Sequence, residues 1–470
     1  MNRFRDSVVA SAMHDSSGVG WRKKRWVIIA MVAGLFVPVF FHLGGGVYQG
    51  GVYYESGGRL SSLPVPLSIV FCGLSVVLLG GYGRIHGVLK VISLTFLGMC
   101  ASVLLLIGER VDFGKVILLA QYMLPMFALI VGVQLGSVRN ALRSLARGLL
   151  GALLITVSLQ LTATLVAGQS ILSSSALLFN VYQHLQYVPV IFVGGYLISL
   201  YSLWHDVSMR GWLLVLAALI GAYSVLSASM LALLLLSSGV LVFCVMGLLT
   251  PGYCFRSSLL VAVLALGGGG GMLYVSNNPL MAVKFNASTI EAQVAVPSAQ
   301  AGVQGVPSSV SAIMDPPSVS VAESSGEEAV AGASRLPLNL SERIIFWLFY
   351  LGGVKESWTS FLFGHERPPD RSKFPSAHNY YLDFIYNFGA LALLPLLALI
   401  LHTVLGVWKH SSRILGEPGM LAVTGVSMFI LLIDNSLKVG MRQPYPGIVS
   451  FFLWGVLLAW LWQQEEPLGT

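Results

Sequence analysis

The chain has 470 residues, of which 56% are hydrophobic and only 10% charged, against about 25% charged in a soluble domain. That composition excludes a water-soluble enzyme and leaves a polytopic, all-α membrane protein. The net charge of +7 is not a nucleic-acid signal, because Lys and Arg in a membrane protein mainly set topology.

Residues 1–25 are polar and end in the basic run Arg22-Lys23-Lys24-Arg25, which reads as a cytoplasmic tail. The apolar run from Trp26 to His42 lacks a small-residue cleavage site and is followed by more such runs, so it is expected to be an uncleaved first helix. Further spans are expected near 62–81, 87–107, 116–136, 148–168, 187–204, 212–227, 229–249, 257–275, 379–405, 420–437 and 448–463. Each is long enough to cross a ~30 Å hydrocarbon layer. This gives about twelve spans, nine within 26–275 and three within 379–463, with a short cytoplasmic tail at 464–470. The stretch 212–249 is divided at Ser227-Ala228-Ser229, because a single helix would overrun the bilayer.

The basic residues test that count. With the N-terminus inside, fifteen Lys and Arg fall on the inner face, from Arg3 to Arg413. The short outer loops hold five: Arg59, Arg110, Lys115, Lys438 and Arg442. This is the bias of the positive-inside rule. Both termini are therefore expected in the cytoplasm and the long loop, 276–378, outside. Cys72, Cys100, Cys244 and Cys254 show no disulfide or metal spacing and read as small buried hydrophobes.

The long loop has two unlike halves. Residues 287–335 are rich in Ala, Val, Ser, Gly and Pro without periodicity, and read as a disordered insertion. The Gly267–Gly271 run before it suits either a hinge or close helix packing. From Leu340 the pattern becomes helical. Asn339 or Ser341 can cap the start, and Arg343, Trp347, Tyr350 and Val354 share one face. Residues 340–358 are therefore expected to form a helix lying at the outer interface, with Phe346, Phe349 and Trp358 adding aromatic mass. A hydrophilic bend follows, Gly364 to Lys373. Ser376 is the expected N-cap of the next span, which puts His378 and Asn379 in its first turn.

A helix N-terminus favours a bound phosphate and disfavours imidazolium, so His378 is expected to be neutral and available as a base. A guanidinium at Arg343 can grip phosphate oxygens in bidentate fashion. Each residue also has a plain structural role open to it: a headgroup contact for Arg343, a cap or anchor for His378, a solvated lip for Arg367, Arg371 and Lys373.

The ordered set Arg343-x-x-x-Trp347, Leu362-Phe363-Gly364, His378-Asn379-Tyr380-Tyr381-Leu382 and Gly389 resembles the O-antigen ligase and O-antigen polymerase superfamily. The layout of spans, with a large external loop before the third-last, extends that resemblance along the chain. It implies a metal-independent glycosyltransferase of the GT-C type, without a cofactor, at the outer face of the bacterial inner membrane. The implied donor is an undecaprenyl-diphosphate-linked glycan. The acceptor is another lipid-linked repeat in a polymerase or the lipid A core in a ligase, and a chain-length regulator is a possible partner. The resemblance assigns the donor diphosphate to Arg343 and the acceptor hydroxyl to His378. Asn379, Trp347, Tyr381, Arg371, Lys373, Lys438 and Arg442 are the candidate substrate contacts.

Two positions depart from the family pattern. Met230, after Ser227-Ala228-Ser229, stands where many members carry an Arg, and Asn387 where many carry an acid. A second phosphate cation must then come from Lys438, Arg442, Lys284, Arg371 or Lys373, or be absent. Asp434-Asn435 is a polar pair inside a span, functional by default or simply paired with Lys438 one turn on. The stretch 179–187 suits sugar contact or interfacial entry. The rival classes are a transporter of lipid-linked sugar, disfavoured by spans nearly free of ionisable groups, and a non-catalytic scaffold. The missing span arginine and the loop insertion favour polymerase over ligase.

Overall fold

The computed structural model describes residues 18–38, 40–42, 64–79, 85–106, 113–138, 141–167, 187–227, 229–249, 255–276, 338–369, 374 and 376–465. The tail to residue 17, Lys284, the 287–335 insertion, 179–186, Arg371, Lys373 and 466–470 lie outside these residues. Within them the chain is a bundle of apolar helices, and eight are long and apolar enough to cross a membrane. Four shorter apolar helices, Arg25–Leu35, Leu67–Leu78, Val188–Leu203 and Ser258–Gly270, occupy the other four expected positions. The fold is that of a multi-pass α-helical membrane protein.

The first expected span is shifted and the second is shortened: the first helix begins at Gly18, inside the stretch expected to be the tail, and the second covers only Leu67–Leu79. The first helix stops at Leu35 and the second starts at Leu67. Between them Phe40–His42 pairs antiparallel with Pro64–Pro66. Pro38, Pro64 and Pro66 lack the N–H that a continuing helix requires. The expected span 116–136 is two helices, Phe113–Met126 and Ala128–Gly136, with the break just after Pro125.

The bundle is built around its last helix, Pro444–Glu465, which is apolar on all sides and buried from Tyr445 to Leu461. A helix hydrophobic all round belongs inside. It meets Ala128–Gly136 backbone to backbone: a Cβ on Gly132 would lie 2.1 Å from the Phe452 carbonyl oxygen, and one on Gly455 would lie 2.4 Å from that of Leu129. The Gly267–Gly271 run is helical throughout and packs rather than bends. A Cβ on Gly268 would stand 2.3 Å from the Ala218 carbonyl oxygen, so the glycines let Phe255–Ser276 seat tightly on Val207–Leu226.

Loops expected on one side of the bilayer meet at one end of the bundle. At one end Arg147 pairs with Asp206 at 2.7 Å and Lys409 with Glu465 at 3.4 Å. At the other, Lys115 Nζ donates to the His365 carbonyl at 2.6 Å, Ser102 Oγ donates to that of Phe363, and Tyr380 N–H donates to that of Lys438 at 3.0 Å. This second end carries the site.

The third-last span is not one straight helix. Tyr380–Lys409 is broken at Gly389, whose φ of +80° is open to glycine without strain. A Cβ there would lie 2.1 Å from the Leu362 carbonyl oxygen, and one on Gly364 (φ +79°) would lie 2.6 Å from the Phe388 nitrogen. The break frees the Tyr386 carbonyl, which residue 390 would take in an unbroken helix, and His365 N–H takes it at 2.9 Å. Leu362-Phe363-Gly364 and Gly389 are thus two halves of one backbone contact. Gly389→Ala is expected to destabilise the protein by about 2–5 kcal/mol from strain plus overlap. The measure is the thermal midpoint in detergent, with Gly352→Ala as a control expected not to fall, since a Cβ there meets nothing within 4 Å and alanine favours the helix.

Candidate functional site

The loop helix spans Leu338–Lys355, so Asn339 and Ser341 lie inside it rather than capping it. It does not run to 358. Ser357 caps a separate helix, Trp358–Phe363, by accepting from Ser360 N–H at 2.9 Å. The expected face is present: Tyr350 and Val354 are buried, Arg343 and Trp347 half-buried, while Ile345, Leu348 and Leu351 are exposed. An outward apolar row with aromatics beside it suits the membrane interface. The inward face is fastened by aromatic stacking of Phe349 on Phe374 (3.7 Å between centroids) and by Tyr350 OH donating to the Phe374 carbonyl at 3.2 Å.

Asn379, not Ser376, is the N-cap of the Tyr380–Lys409 helix. Its side chain accepts from Leu382 N–H at 3.0 Å. His378 therefore precedes the helix instead of standing in its first turn. It holds a left-handed φ of +46°, a conformation found in a few per cent of non-glycine residues. Ser376 Oγ accepts the His378 N–H at 3.4 Å. The imidazole stacks on Phe346, with centroids 5.6 Å apart and planes at 17°.

Arg343 is one turn before Phe346 on the loop helix, and its Nη1 donates to the Leu437 carbonyl at 3.0 Å. The next carbonyl, Lys438, accepts from Tyr380. Loop helix, turn and last outer loop thus converge on one place. Burial drives the His378 pKa down from 6.5 to about 4, with a smaller push from the Arg343 charge. The imidazole is neutral as expected, but desolvation is the main cause. Because the unfolded chain takes up this proton near pH 6.5 and the folded one only near 4, His378 lowers stability as pH falls through that window and has no effect above it. The acid limb of any activity that needs neutral His378 is expected below pH 5, not near 6.5, in a pH–rate profile.

The residue that sequence reasoning missed is Asp383. It is fully buried and accepts from three sides: Arg442 Nη1 at 2.8 Å and the Tyr122 hydroxyl on Oδ2, and Ala377 N–H at 3.3 Å on Oδ1. The available signal was an acid at the head of an apolar span, which is costly unless it is used.

Lys438 and Arg442, candidates for substrate contact, are 3% and 2% exposed and held in ion pairs. Lys438 Nζ is 3.1 Å from Asp434, the pair foreseen one turn apart, and 5.6 Å from the centroid of the Tyr187 ring. Burial lowers the Lys438 pKa and Asp434 partly restores it. The expected span 420–437 contains a π-helical stretch, Phe429–Asp434. Tyr381 OH donates to its Leu431 carbonyl at 2.5 Å and Asn435 Nδ2 to that of Ile430 at 2.8 Å. Such widened turns recur at functional sites. Tyr381 is therefore an anchor for that turn. Asn387 donates to the Asp383 carbonyl at 2.6 Å. Met230 starts its helix with an 80% exposed side chain, turned outward.

Among the described residues, those around His378 include Arg343, the Lys438–Asp434 pair and the Arg442–Asp383 pair. Among the described residues no group of three or more His, Cys, Asp or Glu could hold a metal ion. A scan against protein-family models finds no match to this chain, and a search of the curated proteins finds none either.

Proposed function

We propose that the chain is a GT-C-type glycosyltransferase that elongates a polysaccharide, transferring an undecaprenyl-diphosphate-linked glycan to the hydroxyl of another lipid-linked repeat. On this reading the chain crosses the bacterial inner membrane about twelve times with both termini inside, and the His378 end faces the periplasm. The carrying observation is a neutral, half-buried imidazole beside Arg343, under a helix suited to the membrane interface. A membrane-held diphosphate and an acceptor hydroxyl are what such a pair can serve.

The hydroxyl oxygen attacks the anomeric carbon, and its proton passes to His378. The bond from that carbon to the diphosphate oxygen breaks, and undecaprenyl diphosphate leaves with the electron pair and its charge on Arg343. Trp347 and the loop-helix aromatics supply a platform for sugar or polyprenyl. Lys438 and Arg442 set the positive potential from within their ion pairs. A chain-length regulator is a natural partner for a polymerase.

The test is the surface lipopolysaccharide of a strain lacking the gene. A single repeat on the core is the expected result. Core alone, with lipid-linked polymer accumulating, would make the protein a ligase, and an unchanged ladder would overturn both.

A further inference from the structure

We propose that Asp383 is a positioning residue of this site: its carboxylate fixes the Ala377–His378 turn and so the place of the imidazole beside Arg343. The proposal rests on the glycosyltransferase reading for its purpose, but not for its geometry.

A left-handed histidine persists only where its surroundings over-determine it. Four bonds do so here: Ser376 Oγ from His378 N–H, Asn379 Oδ1 from Leu382 N–H, the Lys438 carbonyl from Tyr380 N–H, and Asp383 Oδ1 from Ala377 N–H. The last differs in kind. It ends on a fully buried charge whose other oxygen holds Arg442 and Tyr122. The turn before His378 is thereby joined to the last outer loop and to the Phe113–Met126 helix through one side chain. Both carboxylate oxygens face donors, and an ionised Asp only accepts. An amide in its place would turn its NH2 toward a donor in either orientation, losing Ala377 or else Arg442 and Tyr122. A carboxylate is thus needed at this position, and not merely a polar group of its size.

The experiment reads the histidine directly, without substrate. Full-length protein in detergent is treated with diethyl pyrocarbonate, which modifies neutral imidazole, and modification of His378 is followed by mass spectrometry. Exposed His402, at the other end of the same helix, is the reference. In the native protein the His378 rate is slow and flat from about pH 7.5 to about 5.5, since the imidazole stays neutral. Asp383→Asn is expected to raise it about fivefold or more, with a fall below about pH 6.5 as the released side chain titrates normally. Tyr122→Phe, which removes one donor and keeps the carboxylate, is expected to lie between.

In folded Asp383→Asn, an unchanged rate with a flat profile overturns the proposal. If that variant does not fold, an unchanged Tyr122→Phe overturns it. Transfer supplies a second readout: kcat should drop about tenfold or more in Asp383→Asn with donor KM within about twofold, because Arg343 is held separately on Leu437. Unimpaired transfer by His378→Ala would remove the glycosyltransferase reading while leaving the turn measurement to stand or fall by itself.

Discussion

His378→Ala is expected to lower glycan transfer by about 10²- to 10⁴-fold at normal protein level, the usual loss when a positioned acid–base group is removed. The side chain is half-buried, stacks on Phe346, and lies before the helix cap rather than forming it. The protein should therefore still fold. Arg343→Ala is expected to cost about 10²- to 10³-fold, as for removal of one electrostatic stabiliser of a leaving group. Arg343→Lys should recover only part, because an ammonium cannot present two parallel donors to a phosphate. The measurement is undecaprenyl diphosphate released by purified protein from a lipid-linked donor and acceptor. A transporter or scaffold predicts that both alanine variants leave the surface polymer unchanged, and that result would sink the catalytic reading.

Asp383→Ala is expected to act on the fold itself. It removes the carboxylate that holds a 2% exposed guanidinium at 2.8 Å, and breaking such a buried pair from one side typically costs about 3–5 kcal/mol. That is a large share of the roughly 5–15 kcal/mol of a whole domain. The expected outcome is loss of monodisperse protein on extraction, read by size-exclusion chromatography and by the thermal midpoint. Asp383→Ala combined with Arg442→Met should recover much of the loss, because an apolar pair of similar volume leaves no charge buried. An Asp383→Ala protein as stable as the native one would show that the pair contributes little. This experiment concerns stability, while the amide variant concerns where the histidine sits, so the two answer separately.

By itself, the sequence determined the class, the approximate positions of the apolar helices and the stretch that holds the candidate site. Hydrophobic run length and the arrangement of Lys and Arg are local quantities that need no tertiary information. The face of the loop helix was legible for the same reason, since Arg343, Trp347, Tyr350 and Val354 follow the helical period. So was the pairing of Asp434 with Lys438, one turn apart.

What only the tertiary structure decided was where polar groups find partners far along the chain. Ser376 and Asn379 are both good caps by composition. The choice fell to Asn379 because Tyr380 N–H is taken by Lys438, fifty-eight residues away, and His378 is left outside the helix. Gly389 reads from sequence as one glycine in a long span, yet the Leu362 backbone crosses it too closely for any Cβ. Arg442 reads as an outer-loop cation free to meet phosphate, yet in the fold it belongs to Asp383. Burying a charge is tolerable only with a partner in place, and for Arg442, Lys115 and Asp383 that partner comes from a distant part of the chain, which no local pattern specifies.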